Sequence, residues 1–281
     1  MIVDSKQNGF DRIYGNKIGV GLGLGGINES LIAEDAMYRG IEALKEFVGI
    51  CNEHQVEKIK AFATSAVRDA ANQNDFLQLI EKEVGIEVEV ISGQKEADLI
   101  YKGVKIGYDF SHPALIMDIG GGSTEFIFAD STKVIKSHSF NIGTARIYQL
   151  FEFNDPYNDD DVQKVIAYLE SNTKGFFEEV NTDVLIGASG SFETFYAILN
   201  KREYPENEFE DLPADKVLTI LDEVIYSSLE ERMKNPLIIP IRKKMAPIAA
   251  IKIKWLMKKL NIKTLTISPY AMKEGVIQSM N

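Results

Sequence analysis

The spacing of apolar and polar positions changes period several times along the chain. Apolar residues recur at helical spacing through 32–54 (Ala36, Ile41, Leu44, Phe47, Val48, Cys51), which predicts a helix there. Further helices are expected over 74–84, 94–108, 143–151, 160–180, 214–233, 245–260 and 270–279. Shorter apolar runs predict strands over 1–4, 11–20, 56–64, 86–91, 114–118, 125–129, 133–140, 184–188 and 263–268. Asn8-Gly9 reads as a turn folding the first two strands into a hairpin. The charged, proline-containing run 203–215 is expected to be a mobile surface loop. Strands followed by alternating helices and strands occur in both halves, so the class is α/β, with strand ends facing a cleft between the halves.

The stretch Ala114 to Ala129, ALIMDIGGGSTEFIFA, stands at the centre of that pattern. It reads as strand, glycine turn and strand. Residues without Cβ can take positive φ and bring backbone N–H groups close to a ligand, forming a nest for an anion such as phosphate. Asp118 ends the first strand, where a carboxylate could meet a hydrated Mg²⁺. Ser123 and Thr124 add hydroxyl donors. The same residues would also serve a plain glycine-rich hairpin turn.

Composition narrows the class. The chain has 281 residues, 45% hydrophobic and 26% charged, which suits a soluble globular protein. Domains usually run to about 100–200 residues, so there is room for two. No apolar run is long enough to span a bilayer and the N-terminus lacks a signal-peptide pattern, so no membrane role and a cytoplasmic location are expected. A net charge of −11 argues against nucleic-acid partners. The single cysteine, Cys51, excludes an internal disulfide and is expected to be buried and inert. Arg242 to Lys263 carries eight basic residues and no acidic one: either an attractor for a polyanion or a solvated face of a helix that turns Ile248, Ile251, Trp255 and Leu256 inward.

Other strand ends carry chemistry. Thr64-Ser65 opens a helix with Arg68 one turn on, a pattern that fits either an anion site or an ordinary N-cap with a surface arginine. Glu96 stands in the first turn of the helix after Ser92-Gly93, placed to interact with the helix dipole or to act as a general base on an attacking water. Ser189-Gly190-Ser191 repeats the small-residue turn after a strand. The VGLGLGGI loop at 20–27 is similar in spacing to a dinucleotide loop but lacks the βαβ context, so a close backbone approach is the reading adopted.

Taken together, ATSAVRDAAN (63–72), ISGQKEADLIYKGV (91–104), MDIGGGSTEF (117–126), FNIGTARI (140–147), IGASGSFET (186–194) and ISPYAMKEGV (267–276) resemble the Ppx/GppA phosphatases. The resemblance implies two ribonuclease-H-like domains of the actin, sugar-kinase and Hsp70 superfamily, 1–113 and 114–269, with the helix of 270–281 packed on the first. It implies a Mg²⁺ cofactor and hydrolysis of terminal phosphoanhydride bonds in polyphosphate or guanosine pentaphosphate, by a homodimer. By position, Glu96 matches the catalytic carboxylate, and Asp118 and Glu125 the metal-associated acids. Ser65 and Arg68, the loop Gly120, Gly121, Gly122 and Ser123, and the turn residues Gly187, Gly190 and Ser191 match the phosphate-binding segments. Family members begin with a strand and a D-x-G-[ST]-N-[ST] loop. Here Met1 to Asp4 looks like the second strand, so the chain is expected to lack the first, leaving an unpaired sheet edge. That departure keeps a non-catalytic polyphosphate or (p)ppGpp binding protein as the alternative, with a phosphate-transferring kinase third.

Overall fold

The structure, a computed structural model, describes residues 1–6, 9–205 and 207–280. In chain order its elements are β1 (Ile2–Lys6), β2 (Gly9–Tyr14), α1 (Glu34–Glu53), β3 (Ala61–Ala63), α2 (Ser65–Arg68), α3 (Gln73–Val84), β4 (Val88–Val90) and α4 (Gly93–Val104). Then follow β5 (Ala114–Ile119), β6 (Thr124–Ala129), β7 (Val134–Phe140), α5 (Thr144–Leu150), α6 (Asp159–Asn172), β8 (Val184–Gly187) and α7 (Gly190–Asn200). The last are β9 (Glu210–Pro213), α8 (Ala214–Ile225), α9 (Leu229–Lys234), α10 (Ala246–Lys259), β10 (Thr264–Ile267) and α11 (Met272–Gln278).

A six-stranded sheet of order β7-β6-β5-β8-β10-β9 carries the larger core. Alternate residues of its central strands serve two different layers, as the two-residue period requires. Leu115 and Met117 of β5, with Phe126 and Phe128 of β6, pack on α6, α8 and α10. Ile116 and Ile127 face the other way, onto Ala97, Ile100 and Val104 of α4. The opposite side of α4 meets β3 and α11 through Leu99, Phe62 and Val276. Helix α4 is thus a shared wall between the large sheet and the N-terminal layers.

Contact between α4 and α11 is backbone to backbone. A Cβ on Gly275 would overlap the carbonyl of Leu99, and one on Gly103 the carbonyl of Ala271. Gly275→Val therefore has nowhere to put its side chain, and overpacking of this kind costs about 3 kcal/mol. The expected result is a lower urea midpoint with unchanged slope; an unshifted midpoint would show that the two helices separate freely.

The N-terminal half differs from its expected form. β1 and β2 form one antiparallel hairpin, β3 and β4 a separate parallel pair, and no ladder joins them among the described residues. Asn8 of the expected turn lies outside the described residues. The strand expected over 11–20 ends at Tyr14. Instead of one helix over 160–180, α6 stops at Asn172, Gly175 takes φ +80, and a short 3-10 turn follows. Ser228 interrupts 214–233 with its own capping box, giving α8 and α9. The 203–215 excursion, expected as a loop, supplies β9, whose Asp211 and Leu212 pair with Thr266 and Leu265 of β10. Cys51 is half-buried rather than enclosed. No helix among the described residues is long and apolar enough to cross a membrane.

Candidate active site

Register places the first two acids. In the antiparallel β5–β6 pair, Asp118 stands directly opposite Glu125. Both belong to the alternation that faces α4, and α4 brings Glu96 to them in its first turn, with Ser92 capping the helix. Like charges set across a strand pair repel. Burial pushes the Asp118 carboxyl well above its usual range, and Glu125 and Glu96 push it further. Glu125, 1% exposed, is likewise raised by burial, although Ser123 Oγ and Ser139 Oγ each donate to its Oε1 at 2.6 Å. Burial first and Glu125 second push Glu96 up to about 7, against the pull of Arg68. Arg68 Nη1 donates to Glu96 Oε2 at 2.9 Å and to the Ile91 carbonyl at 3.1 Å, so the arginine is committed to the site and is not a free surface group.

The glycine turn lies beside this cluster, and its orientation has a local cause. Its carbonyls are all taken from behind: Gly120 O accepts from Thr144 N (3.0 Å), Gly121 O from Ala145 N (2.9 Å) and Gly122 O from Gly143 N (3.1 Å). With the carbonyls held by the start of α5, the amides turn the other way. Outside the strand ladder, the N–H groups of Gly121, Gly122 and Ser123 have no acceptor among the described residues. None of the three glycines takes positive φ. Close approach is what excludes side chains: a Cβ on Gly122 would lie 2.5 Å from Ser65 Oγ. Ser65 is buried, and its hydroxyl donates to Asp69.

Three residues that the motifs did not single out complete the arrangement. Arg146 on α5 donates to the carbonyls of Gly122 and Ile27, each at 3.1 Å, and pairs with Asp69 at 3.3 Å, so one guanidinium joins the glycine turn, the 20–27 loop and the α2 segment. Gln149, one turn on, binds Gly25 N and Gly23 O, which gives the 20–27 loop the close-approach role expected for it. Arg242 lies against Gly190, where any Cβ would strike its guanidinium, and donates to Thr194 Oγ1 at 3.1 Å. Ser191 stands in the first turn of α7, while Ser189 Oγ accepts from Ile119 N, tying that turn to the end of β5. Gly187 is buried at the end of β8, where the missing side chain leaves room for the Phe192 ring.

In the 242–263 run Ile248, Ile251, Trp255 and Leu256 turn inward as the helix-face reading expects, but the basic residues are not one solvated face. Lys252 is fully buried, Lys254 and Lys259 pair with Asp222 and Glu170, and Arg242 faces the Gly190 turn. A cavity of about 250 Å³ opens beside that turn, lined by Arg12, Lys17, Arg242, Lys273, Glu193 and Tyr204 among others.

Among the described residues no three acidic, histidine or cysteine side chains close into a metal cage. Asp118 and Glu125, paired face to face with Oε2 of Glu125 free of hydroxyl donors, suit an ion that takes one or two carboxylates and completes its shell with substrate phosphates and water.

Fold and site together define an α/β protein whose strand ends present a row of unclaimed amides beside a cluster of carboxylates. A sequence model of the Ppx/GppA phosphatase family matches residues 1–281, and the chain belongs to that family. An exopolyphosphatase from Cytophaga hutchinsonii ATCC 33406 has a similar solved structure: 32% identity, TM-score 0.95, covering 99% of this chain and 92% of that one. A PPX-GPPA enzyme of Aquifex aeolicus matches at 26% identity and TM-score 0.80, over 99% and 93% of the two chains. Among curated proteins, a bifunctional 3-dehydroquinate synthase/phosphatase of Fusobacterium nucleatum is 34% identical over 186 residues, which is 63% of this chain and 28% of that protein. The α/β class expected from the motifs holds, and the fold matches that of solved structures in the family.

Proposed function

We propose that the protein hydrolyses terminal phosphoanhydride bonds of inorganic polyphosphate or guanosine pentaphosphate, with Mg²⁺ as cofactor. The observation that carries this reading is the convergence of Glu96 with Asp118 and Glu125 beside the unclaimed amides of Gly121 to Ser123. Those amides, Ser65 and Arg68 would hold the terminal phosphoryl group. Glu96 would orient a water and take its proton as the water oxygen bonds to phosphorus and the bridging P–O bond breaks, leaving the shortened chain as the departing phosphate. Magnesium, held by Asp118 and Glu125, would supply neutralisation of charge on the phosphate oxygens. The basic cavity beside Gly190 suits the part of a polyanion behind the scissile bond.

The test is release of inorganic phosphate from long-chain polyphosphate and from guanosine pentaphosphate, with and without EDTA. Release that requires the divalent ion is expected. Tight binding of polyphosphate with no release would replace hydrolysis by the binding-protein reading.

A further inference from the structure

A lysine occupies an apolar position of α10. Ile248, Ile251, Lys252, Trp255 and Leu256 recur at spacings of three and four and form one buried stripe, in which Lys252 is 0% exposed. An ammonium at such a position is unfavourable unless hydrogen bonds and opposite charge compensate it. Lys252 Nζ donates to Thr124 Oγ1 and, at 2.7 Å, to the carbonyl of Ile142. Burial drags its pKa down to about 7, and the groups that oppose this loss of charge are Glu125 and Asp118.

The two acceptors flank the site's support. Thr124 begins β6 directly after the glycine turn and is next to Glu125, but its side chain takes the opposite face of the sheet, the one that packs on α10. Ile142 precedes Gly143, the residue that starts the row of N–H groups holding the turn's carbonyls. One Nζ therefore ties the strand leaving the turn to the corner that orients it.

We propose that Lys252 is a positioning residue of the site: from the reverse face of the sheet it holds Thr124 and Ile142 together, fixes the glycine turn, and lends positive charge to Asp118 and Glu125. This inference rests on the reading of the site as a phosphoanhydride hydrolase. It has two consequences of opposite sign. Losing the tie misaligns groups needed in the transition state, so kcat falls more than KM changes. Losing the charge removes a cation from behind two carboxylates, so a divalent ion in front binds more tightly.

The experiment compares wild type with Lys252→Met and Lys252→Arg. It reads kcat and KM for phosphate release from polyphosphate, and Mn²⁺ affinity by calorimetry without substrate. Lys252→Met is expected to lose about tenfold or more in kcat with KM within about twofold, and to bind Mn²⁺ about fivefold more tightly. Lys252→Arg should keep the wild-type Mn²⁺ affinity. Unchanged kcat and unchanged Mn²⁺ affinity in Lys252→Met would mark a merely packed side chain and overturn the proposal. Loss of rate together with weaker Mn²⁺ binding would mark general disruption and overturn it too, as would a wild type that binds no Mn²⁺. Should Lys252→Met fail to fold, Thr124→Val replaces it: the lysine stays, one acceptor is lost, and kcat should drop with Mn²⁺ affinity unaltered. If wild type releases no phosphate, the hydrolase reading fails, while the Mn²⁺ comparison still reports on the charge of Lys252.

Discussion

Glu96→Gln should reduce phosphate release by about a thousandfold, within the range usual for a general base, while leaving KM near its wild-type value. The amide keeps the shape of the side chain but has no basic oxygen to accept the proton of the attacking water. The same change should stabilise the metal-free fold at neutral pH. Glu96 has a folded pKa of about 7 against an ordinary 4.5, raised by burial and by Glu125. A carboxyl raised in this way favours the fold below about pH 4.5, and that contribution is lost as pH rises through about 7. Above that pH the ionised carboxylate weighs against the fold by about 3 kcal/mol, a burden that glutamine does not carry. Activity has the opposite dependence, since the base must be ionised: turnover falls as pH drops through the Glu96 pKa, which a divalent ion beside Asp118 and Glu125 lowers from its metal-free position by offsetting the Glu125 charge. Arg68→Ala, which removes the group pulling the Glu96 pKa down, should move that acid limb upward. Full turnover in Glu96→Gln would sink the assignment of the base.

Gly143→Ala should be nearly as damaging, through a residue that touches no substrate. A Cβ there would overlap the carbonyl of Gly121 and the carbonyl carbon of Gly122. Either the glycine turn or the start of α5 has to retreat, and the bonds from Gly143, Thr144 and Ala145 to the turn's three carbonyls are lost or stretched. Released carbonyls can rotate, and the amides rotate with them. The expected loss is about a hundredfold or more in kcat/KM, the scale of removing a donor aimed at transition-state charge, with about 1–3 kcal/mol of stability. Gly49→Ala is the matched control. It lies exposed in α1 with no heavy atom near its would-be Cβ, and alanine should stabilise that helix by about 1 kcal/mol. Wild-type phosphate release by Gly143→Ala would show that the turn's amides are not the phosphate seat.

What could be read from the sequence were the features written in local periodicity. The stripe of α1, the strand–glycine–strand unit at 114–129 and the first-turn position of Glu96 each follow from residues adjacent in the chain. The features missed depend on pairing at a distance. Strand β9 is hidden in a charged run because its partner, β10, lies some fifty residues on and only Leu212 needs to be buried. Arg146 looked like one polar residue on a short helix; three acceptors from separate segments make it a junction. Lys252 was one cation among eight, though a lysine among isoleucines at the spacing of the buried stripe was a signal in the sequence itself. Reading the glycines as a source of positive φ misjudged their use, which is to let Ser65 and the start of α5 approach the turn.

The placement of Lys252 and α11 also bears on how the protein is made. Glu96, Asp118 and Glu125 all emerge well before the lysine behind the sheet and the helix clasped against α4. Domains generally fold from the N-terminus as the chain appears, yet here the early carboxylates wait for late parts. A nascent chain carrying all three carboxylates would still have an unbraced site, so the proposed hydrolysis should arise only once α10 and α11 have emerged and packed.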